Sequence, residues 1–199
     1  NDFLRGHSGD DLIYGGTGND QLRGDSGADT LYGEDGADEL WGGADNDFLS
    51  GGDGRDYVRG GGGDDLLYGD AGDDFILGDN GNDTIYGGDG SDKMIGGSGA
   101  DTFVFESATA FGDYNRVYNF STDEGDSIDI SDLLQGVFDP VTDSISDFVS
   151  ISNVYKGSTL AVDTDGTGSG ETFRDVVFLH NNYNLDAQTL VDNGNLTVS

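Results

Sequence analysis

The chain of 199 residues contains no cysteine, one proline and two histidines, and only 8 of its side chains are lysine or arginine. Without cysteine there is neither a disulfide framework nor a thiolate metal centre, so whatever cross-links the fold must bind through oxygen. Set against 40 acidic residues, the few basic ones leave a formal charge of −32, which argues against nucleic acid and anionic membrane as partners. The two histidines, His7 and His180, are accompanied by no HExxH, nucleophile elbow or phosphate loop, so the chain reads as non-catalytic. No apolar run reaches the roughly 20 residues of a spanning helix, and no membrane insertion by this chain is expected.

What the sequence has instead is glycine, 36 residues of it, and a fixed phase. Aligned by nines from Gly6, it reads GHSGDDLIY, GGTGNDQLR, GDSGADTLY and onward to GGSGADTFV, which ends at Val104, in eleven repeats without an insertion. The first place is always Gly, the sixth always Asp and the eighth always Ile, Leu, Val, Met or Phe. An acidic disordered tail would share the composition but has no reason to keep this phase. The opening NDFLR reads as the last five residues of another repeat, as in a piece cut from a longer chain.

A period of nine with one obligatory inward residue suits a strand of about three residues joined to a glycine-rich turn. Two strands make a coil of 18 residues, and the expected fold is all-β, a right-handed parallel β-roll over residues 1–104. Side chains alternate along a strand, so the eighth place faces inward and places seven and nine face outward. Ile13, Leu31, Leu49, Leu67, Ile85 and Phe103 then form one inner ladder, and Leu4, Leu22, Leu40, Val58, Ile76 and Met94 the other.

Coils in such a roll stack at about 4.8 Å, which brings each sixth-place Asp close to its counterpart one coil away. Unscreened, each neighbouring pair repels by about 1 to 3 kcal/mol, against about 5 to 15 kcal/mol for the stability of a whole domain. The stack therefore calls for cations between its layers. Calcium suits the donors, because it accepts six to eight oxygens and mixes carboxylates with backbone carbonyls, whereas magnesium demands a stricter octahedron. The carboxylate ligands would be Asp2, Asp11, Asp20, Asp29, Asp38, Asp47, Asp56, Asp65, Asp74, Asp83, Asp92 and Asp101. The turns that aim carbonyls at the ion would be set by fourth-place glycines at positive φ: Gly9, Gly18, Gly27, Gly36, Gly54, Gly63, Gly72, Gly81, Gly90 and Gly99. Sharing each ion between repeats n and n+2 gives about nine ions, or ten if Asp2 takes part. Asp45 stands where the fifth repeat should have its fourth-place Gly and marks the turn expected to be weakest. His7, Asp25, Glu34, Asp70 and Asp79 replace Gly at the second place, which reads as a need for its carbonyl and not for a missing side chain, with these side chains outside the metal shell.

The repeat GGxGxDxUx resembles the signature of the RTX family of calcium-binding β-rolls, over residues 1–104. Downstream, VYNFSTDEGDSIDISDLLQG, FRDVVFLHN and the closing LVDNGNLTVS resemble the C-terminal target domain of proteins exported by bacterial type I secretion. That resemblance is nearest to the ends of large surface adhesins. It implies a calcium-dependent folding and secretion module, unfolded at low calcium, folding outside the cell, partnered by the type I secretion machinery, and secreted, extracellular or on the bacterial cell surface. The parent's ligand would be a surface or a polysaccharide, and the module itself a monomer. The signal would lie in the C-terminal segment, carried by Leu185, Leu190, Val191, Leu196 and Val198. The alternative is a carbohydrate-binding or auxiliary repeat module of a secreted epimerase, protease or lipase.

Residues 105–199 read as a small mixed β-rich cap on the open end of the roll. SISNVYKGSTLAVD predicts two strands joined at Lys156-Gly157, Asp175 to Leu179 a third, and SDLLQG and LDAQTLVDNG two short helices. Asp163 and Asp165, with Glu171, on the loop DTDGTGSGE are a candidate extra calcium site, against the simpler alternative of a solvated hairpin tip. At the ninth place Tyr14, Tyr32, Tyr68 and Tyr86 fall on odd repeats, and Arg5, Arg23, Trp41 and Arg59 on even ones, so the two outer faces should differ. A tyrosine ladder is either a sugar-binding surface or simple cross-strand stacking worth about 0.2 to 1 kcal/mol per pair. Place three varies too much for an ice-binding rank.

Overall fold

The computed structural model describes residues 1–106, 114–135, 144–154, 156–163, 173–182 and 185–198. The inward apolar residue of each repeat decides the architecture. Alternate strands pair in parallel at an offset of one coil, so that Leu4, Leu22, Leu40, Val58, Ile76 and Met94 stack in one sheet. Ile13, Leu31, Leu49, Leu67, Ile85 and Phe103 stack in the other. From Leu22 to Phe103 every one of these side chains is 0% exposed, while Leu4 and Ile13 on the first coil are partly buried. The protein is an all-β parallel β-roll whose core is one side chain deep on each sheet.

Most strands are longer than the expected three residues. Gln21–Ser26 and Tyr57–Gly62, for example, run six residues, from the seventh place through the third place of the next repeat. Pairing resumes beyond the first-place glycine, with Arg23 opposite Trp41 and then Asp25 opposite Gly43. Within the repeats only Thr84–Tyr86 and Thr102–Val104 stop at three.

The sheets do not end with the nonapeptide register. Asn115–Tyr118 adds in parallel to Lys93–Ser98, with Val117 against Met94, and Phe173–His180 adds to it with Leu179 against Val117. In the other sheet Ser127–Asp129 sets Ile128 on Phe103, and Leu196–Thr197 sets Leu196 on Ile128. Each apolar ladder therefore continues for two more rungs. Gly157–Asp163 and Val149–Val154 complete the ten-stranded sheet antiparallel, which turns the last edge away from the roll's own direction. Lys156, at φ 75, forms part of the turn before Gly157.

Two short helices, Ile145–Phe148 and Ala187–Asp192, pack on this end; the first was not legible in the sequence. The second is capped as expected, by the Asp186 carboxylate accepting from the Thr189 N–H at 2.8 Å, and closes at Gly194 with φ 79. SDLLQG is not a helix: residues 131–135 form turns, opened by the Ser131 N–H donating to the Asp129 carboxylate at 2.9 Å. Burial of Ile130 and Leu134 in the core holds those turns without helical continuation, which a segment this short cannot nucleate for itself.

Because the ladders are single file, a gap in one has no second layer to close it. Leu49→Ala should lower the calcium-loaded stability by about 2 to 5 kcal/mol, read from urea unfolding in saturating calcium. Gln21→Ala on the outer surface should change it by less than about 0.5 kcal/mol.

Candidate metal centre

The sixth-place aspartates of repeats two to eleven, from Asp20 to Asp101, are each no more than 3% exposed. The D-x-U spacing causes this: two residues before an inward apolar side chain, the carboxylate also points inward, at the corner of the coil. One oxygen of each accepts a backbone N–H from the coil before. The Asp38 N–H donates to Asp56 at 2.7 Å, Asp47 to Asp65 at 2.8 Å and Asp56 to Asp74 at 2.8 Å, all across 18 residues. The other oxygen, Oδ2, is buried with no hydrogen-bond partner at Asp11, Asp20, Asp29, Asp38, Asp47, Asp56, Asp65, Asp74, Asp83 and Asp101. Buried, unsatisfied carboxylate oxygens at this density are unfavourable without a cation. They form two parallel files, as the sequence implied. Among the described residues no three carboxylate or imidazole groups converge on one point, so an ion here would draw most of its ligands from the backbone.

The turns provide that backbone. Fourth-place glycines all have positive φ, from 102 at Gly9 to 148 at Gly54 and Gly72, and at Gly36 a Cβ would overlap the Gly18 carbonyl of the coil before. First-place glycine answers a different need: at Gly24, Gly60 and Gly96 a Cβ would collide with the carboxylates of Asp29, Asp65 and Asp101. The second place is also left-handed, which corrects the expectation for it. His7, Asp25, Glu34, Asp70 and Asp79 have φ between 71 and 81, so what selects that place is tolerance of the αL region. Several of these side chains are engaged outside the roll, Asp25 by Arg5, Asp79 by Arg59 and Asp70 by the Ser50 hydroxyl. Asp45 has φ 75, and its carboxylate accepts the Gly27 N–H at 3.2 Å. That donor has its counterpart in Gly18, which donates to the Asp35 carbonyl. Strain at Asp45 is thus offset in part by a bond that no glycine could supply.

Two further sets of residues join the stack. At the fifth place, Asp10, Asn19, Asn46, Asp64, Asp73 and Asn82 accept the fifth-place N–H of the following coil, as Asp64 does from Asn82 at 2.7 Å. This ladder runs on the exposed side of the turns, in the sense opposite to the sixth-place one. Beyond the repeats, Asn115 Oδ1 accepts the Asp92 N–H at 3.0 Å and Asp126 Oδ1 accepts the Asp101 N–H at 3.0 Å, so these buried residues occupy the next rung of each file. Asp126 differs from the repeat aspartates because its second oxygen accepts the Ser121 N–H at 2.7 Å. The signal was present in the sequence: Asn115-x-Val117 and Asp126-x-Ile128 keep the D-x-U spacing, but longer intervening segments take them out of the nine-residue phase. Asp163 is buried at the end of its strand, and Asp165 and Glu171 lie outside the described residues.

Burial dominates the electrostatics of the files. It pushes the carboxyl of Asp74 up to about 8, those of Asp47, Asp65 and Asp101 to about 7, and those of Asp56 and Asp83 to about 6. The N–H bond to each lowers the value in part, and neighbouring carboxylates raise it again.

On the outer faces, Tyr14 and Tyr32 stack with centroids 5.0 Å apart and planes 9° from parallel, and Tyr68 and Tyr86 at 4.4 Å and 11°. Ser50 interrupts this ladder, and seventh-place Phe48 bridges the gap at 5.5 Å from Tyr32 and 5.6 Å from Tyr68. Rings stacked on one another in this way present edges to solvent and hide the faces that a sugar would need. Cross-strand stacking is the role this geometry favours.

Parallel coils, glycine turns and two files of buried carboxylates define a calcium-binding β-roll. The family model of the RTX calcium-binding nonapeptide repeat matches in overlapping copies between residues 1 and 103, and the chain belongs to that family, whose repeats bind calcium. No curated protein matches the chain. A solved structure similar to it is the AlgE6R3 subunit from the Azotobacter vinelandii mannuronan C5-epimerase, 28% identical, covering 78% of this chain and 79% of that one with a TM-score of 0.36.

The raised carboxyls set the response of the calcium-free chain to acid. Each favours folding below its unfolded value of about 4 and loses that contribution as pH rises through about 6 to 8. Lowering pH from about 9 to about 5.5 without calcium should therefore increase β structure, protons standing in for cations, with circular dichroism as the readout. A spectrum unchanged across that range would contradict the electrostatic account.

Proposed function

We propose that the chain is a calcium-dependent folding and type I secretion module at the C-terminal end of a large secreted or surface protein, an adhesin. The observation that supports it is the pair of files of buried Oδ2 atoms lacking partners, whose charge opposes folding until a cation is present. Calcium would be held between repeats n and n+2 by the sixth-place carboxylates and the carbonyls of the glycine turns, about nine or ten ions in all. At low intracellular calcium the roll would stay unfolded and able to thread an exporter; extracellular calcium would fold it by mass action. The residues assigned to the signal fit an export step that precedes folding. Leu190 and Leu196 are 2% and 3% exposed in the folded protein, and Leu185, Val191 and Val198 pack against the core. An exporter reading them would need the unfolded chain. The competing reading, a sugar-binding module using the tyrosine ladder, is disfavoured by the hidden ring faces.

Two experiments test the reading. Excess chelator should abolish the β spectrum of residues 1–104, because the single-file core does not offset carboxylate repulsion and the entropy of so many glycines. A spectrum that survives chelation would show that apolar burial alone holds the roll. In a secretion assay, Asp56→Ala and Asp74→Ala should still be exported yet require more calcium to fold, whereas deletion of residues 185–199 should block export and spare calcium binding by the repeats. Normal export of the truncated chain would refute the assignment of its last residues.

A further inference from the structure

The few basic residues are not scattered. Six of the eight, Arg5, Arg23, Arg59, Lys93, Arg116 and Arg174, lie on strands of the ten-stranded sheet, and the strands of the eight-stranded sheet carry none. Lys93 and Arg116 face each other directly in register, with Phe178 next in line. Like charges placed opposite one another across two strands are destabilising. In a chain with 40 acidic residues a neutralising carboxylate could stand at either position, yet among the described residues neither cation is in an ion pair. Arg116 and Phe178 line a pocket of about 250 Å³ together with Tyr114, which is 74% exposed, and with Thr159 and Asp175. Farther along the same sheet, Arg23, Trp41 and Arg59 line an open groove of about 450 Å³, with the Arg23 guanidinium 5.9 Å from the Trp41 ring centroid. Arg59 is partly neutralised there by Asp79, and Arg23 lies 3.7 Å from Asp25.

We infer that the outer face of the ten-stranded sheet binds an anionic polysaccharide, with Lys93 and Arg116 taking its acidic groups. A linear sugar chain fits three features that a simple anion does not. The cations recur along the roll axis at multiples of the strand spacing of about 4.8 Å. Aromatic rings, Tyr114 and Phe178 at one end and Trp41 at the other, flank them, and the exposed ring of Tyr114 offers apolar surface to a sugar ring. Asp175 and Thr159 beside Arg116 supply acceptors for hydroxyl groups, for which a site built only for an anion has no use. The face is distinct from the calcium files, which point into the roll. The inference also stands apart from the export role, since it concerns the folded, calcium-loaded protein.

The test uses the full chain in calcium sufficient to fold it and reads Trp41, the sole tryptophan, by fluorescence. Isothermal calorimetry runs alongside. Three probes are titrated: oligogalacturonates short enough to stay soluble in calcium, a sulfated heparin oligosaccharide and a neutral cello-oligosaccharide. Binding of either acidic probe without binding of the neutral one is expected, and which of the two binds tells carboxylate from sulfate recognition. Lys93→Gln combined with Arg116→Gln should weaken binding roughly tenfold or more and reduce its salt dependence, while Tyr14→Ser with Tyr86→Ser on the opposite face should leave it unchanged. The calcium midpoint by circular dichroism checks that each variant folds; should the double variant not fold, Tyr114→Ala and Arg23→Gln take its place. No binding of either acidic probe, equal binding of the neutral one, or affinity indifferent to these substitutions would overturn the inference.

Discussion

Stacked carboxylates, buried at the corners of the coils, are the constraint on which the rest of this molecule depends. Sixth-place aspartates such as Asp56, Asp65 and Asp74 give one oxygen to a backbone N–H of the coil before and leave the other facing the turn without a protein donor. That division lets the same group do two things. The bonded oxygen sets the register between coils, and the unbonded one reserves a place for a cation. Glycine at the first place follows from the same group, because the carboxylate occupies the volume a side chain would need.

The apolar ladders cannot relieve this constraint by themselves. They are continuous and fully buried from the second coil onward, but one residue in nine is a thin core for a chain so rich in glycine. Stability is thereby placed under the control of an external variable, the cation concentration, while the fold is specified by register. Aromatic stacking on the outside, such as Tyr57 on Phe75 at 5.5 Å, supports neighbouring coils without altering that balance.

The C-terminal segment ends both files in a consistent way. Asn115 continues one of them with a neutral amide, and Asp126 continues the other with a carboxylate whose second oxygen is satisfied by Ser121. The last rungs thus keep the hydrogen-bond geometry of the repeats without the unmatched oxygen. The antiparallel strands and two short helices then cover the apolar end.

The repeat phase by itself determined the parallel pairing, the identity of the residues in both inner ladders from Leu4 to Phe103 and the two files of aspartates, since a period of nine applied to a strand leaves only one residue per repeat for the interior. Local patterns in the tail were legible too where they were complete, as with the Asp186 cap and the strands on either side of Lys156. Three features did not follow from the repeat phase, and the tertiary structure decided them. The left-handed geometry of the second place appears only when Asp25 and Asp79 are seen at φ 81 and 79, because a residue that tolerates αL does not announce that it adopts it. The bridging of the tyrosine gap by Phe48 depends on contacts between coils 18 residues apart. Asn115 and Asp126 became rungs of the files only through pairing across 23 and 25 residues, distances fixed by how the segments between them fold back onto the roll.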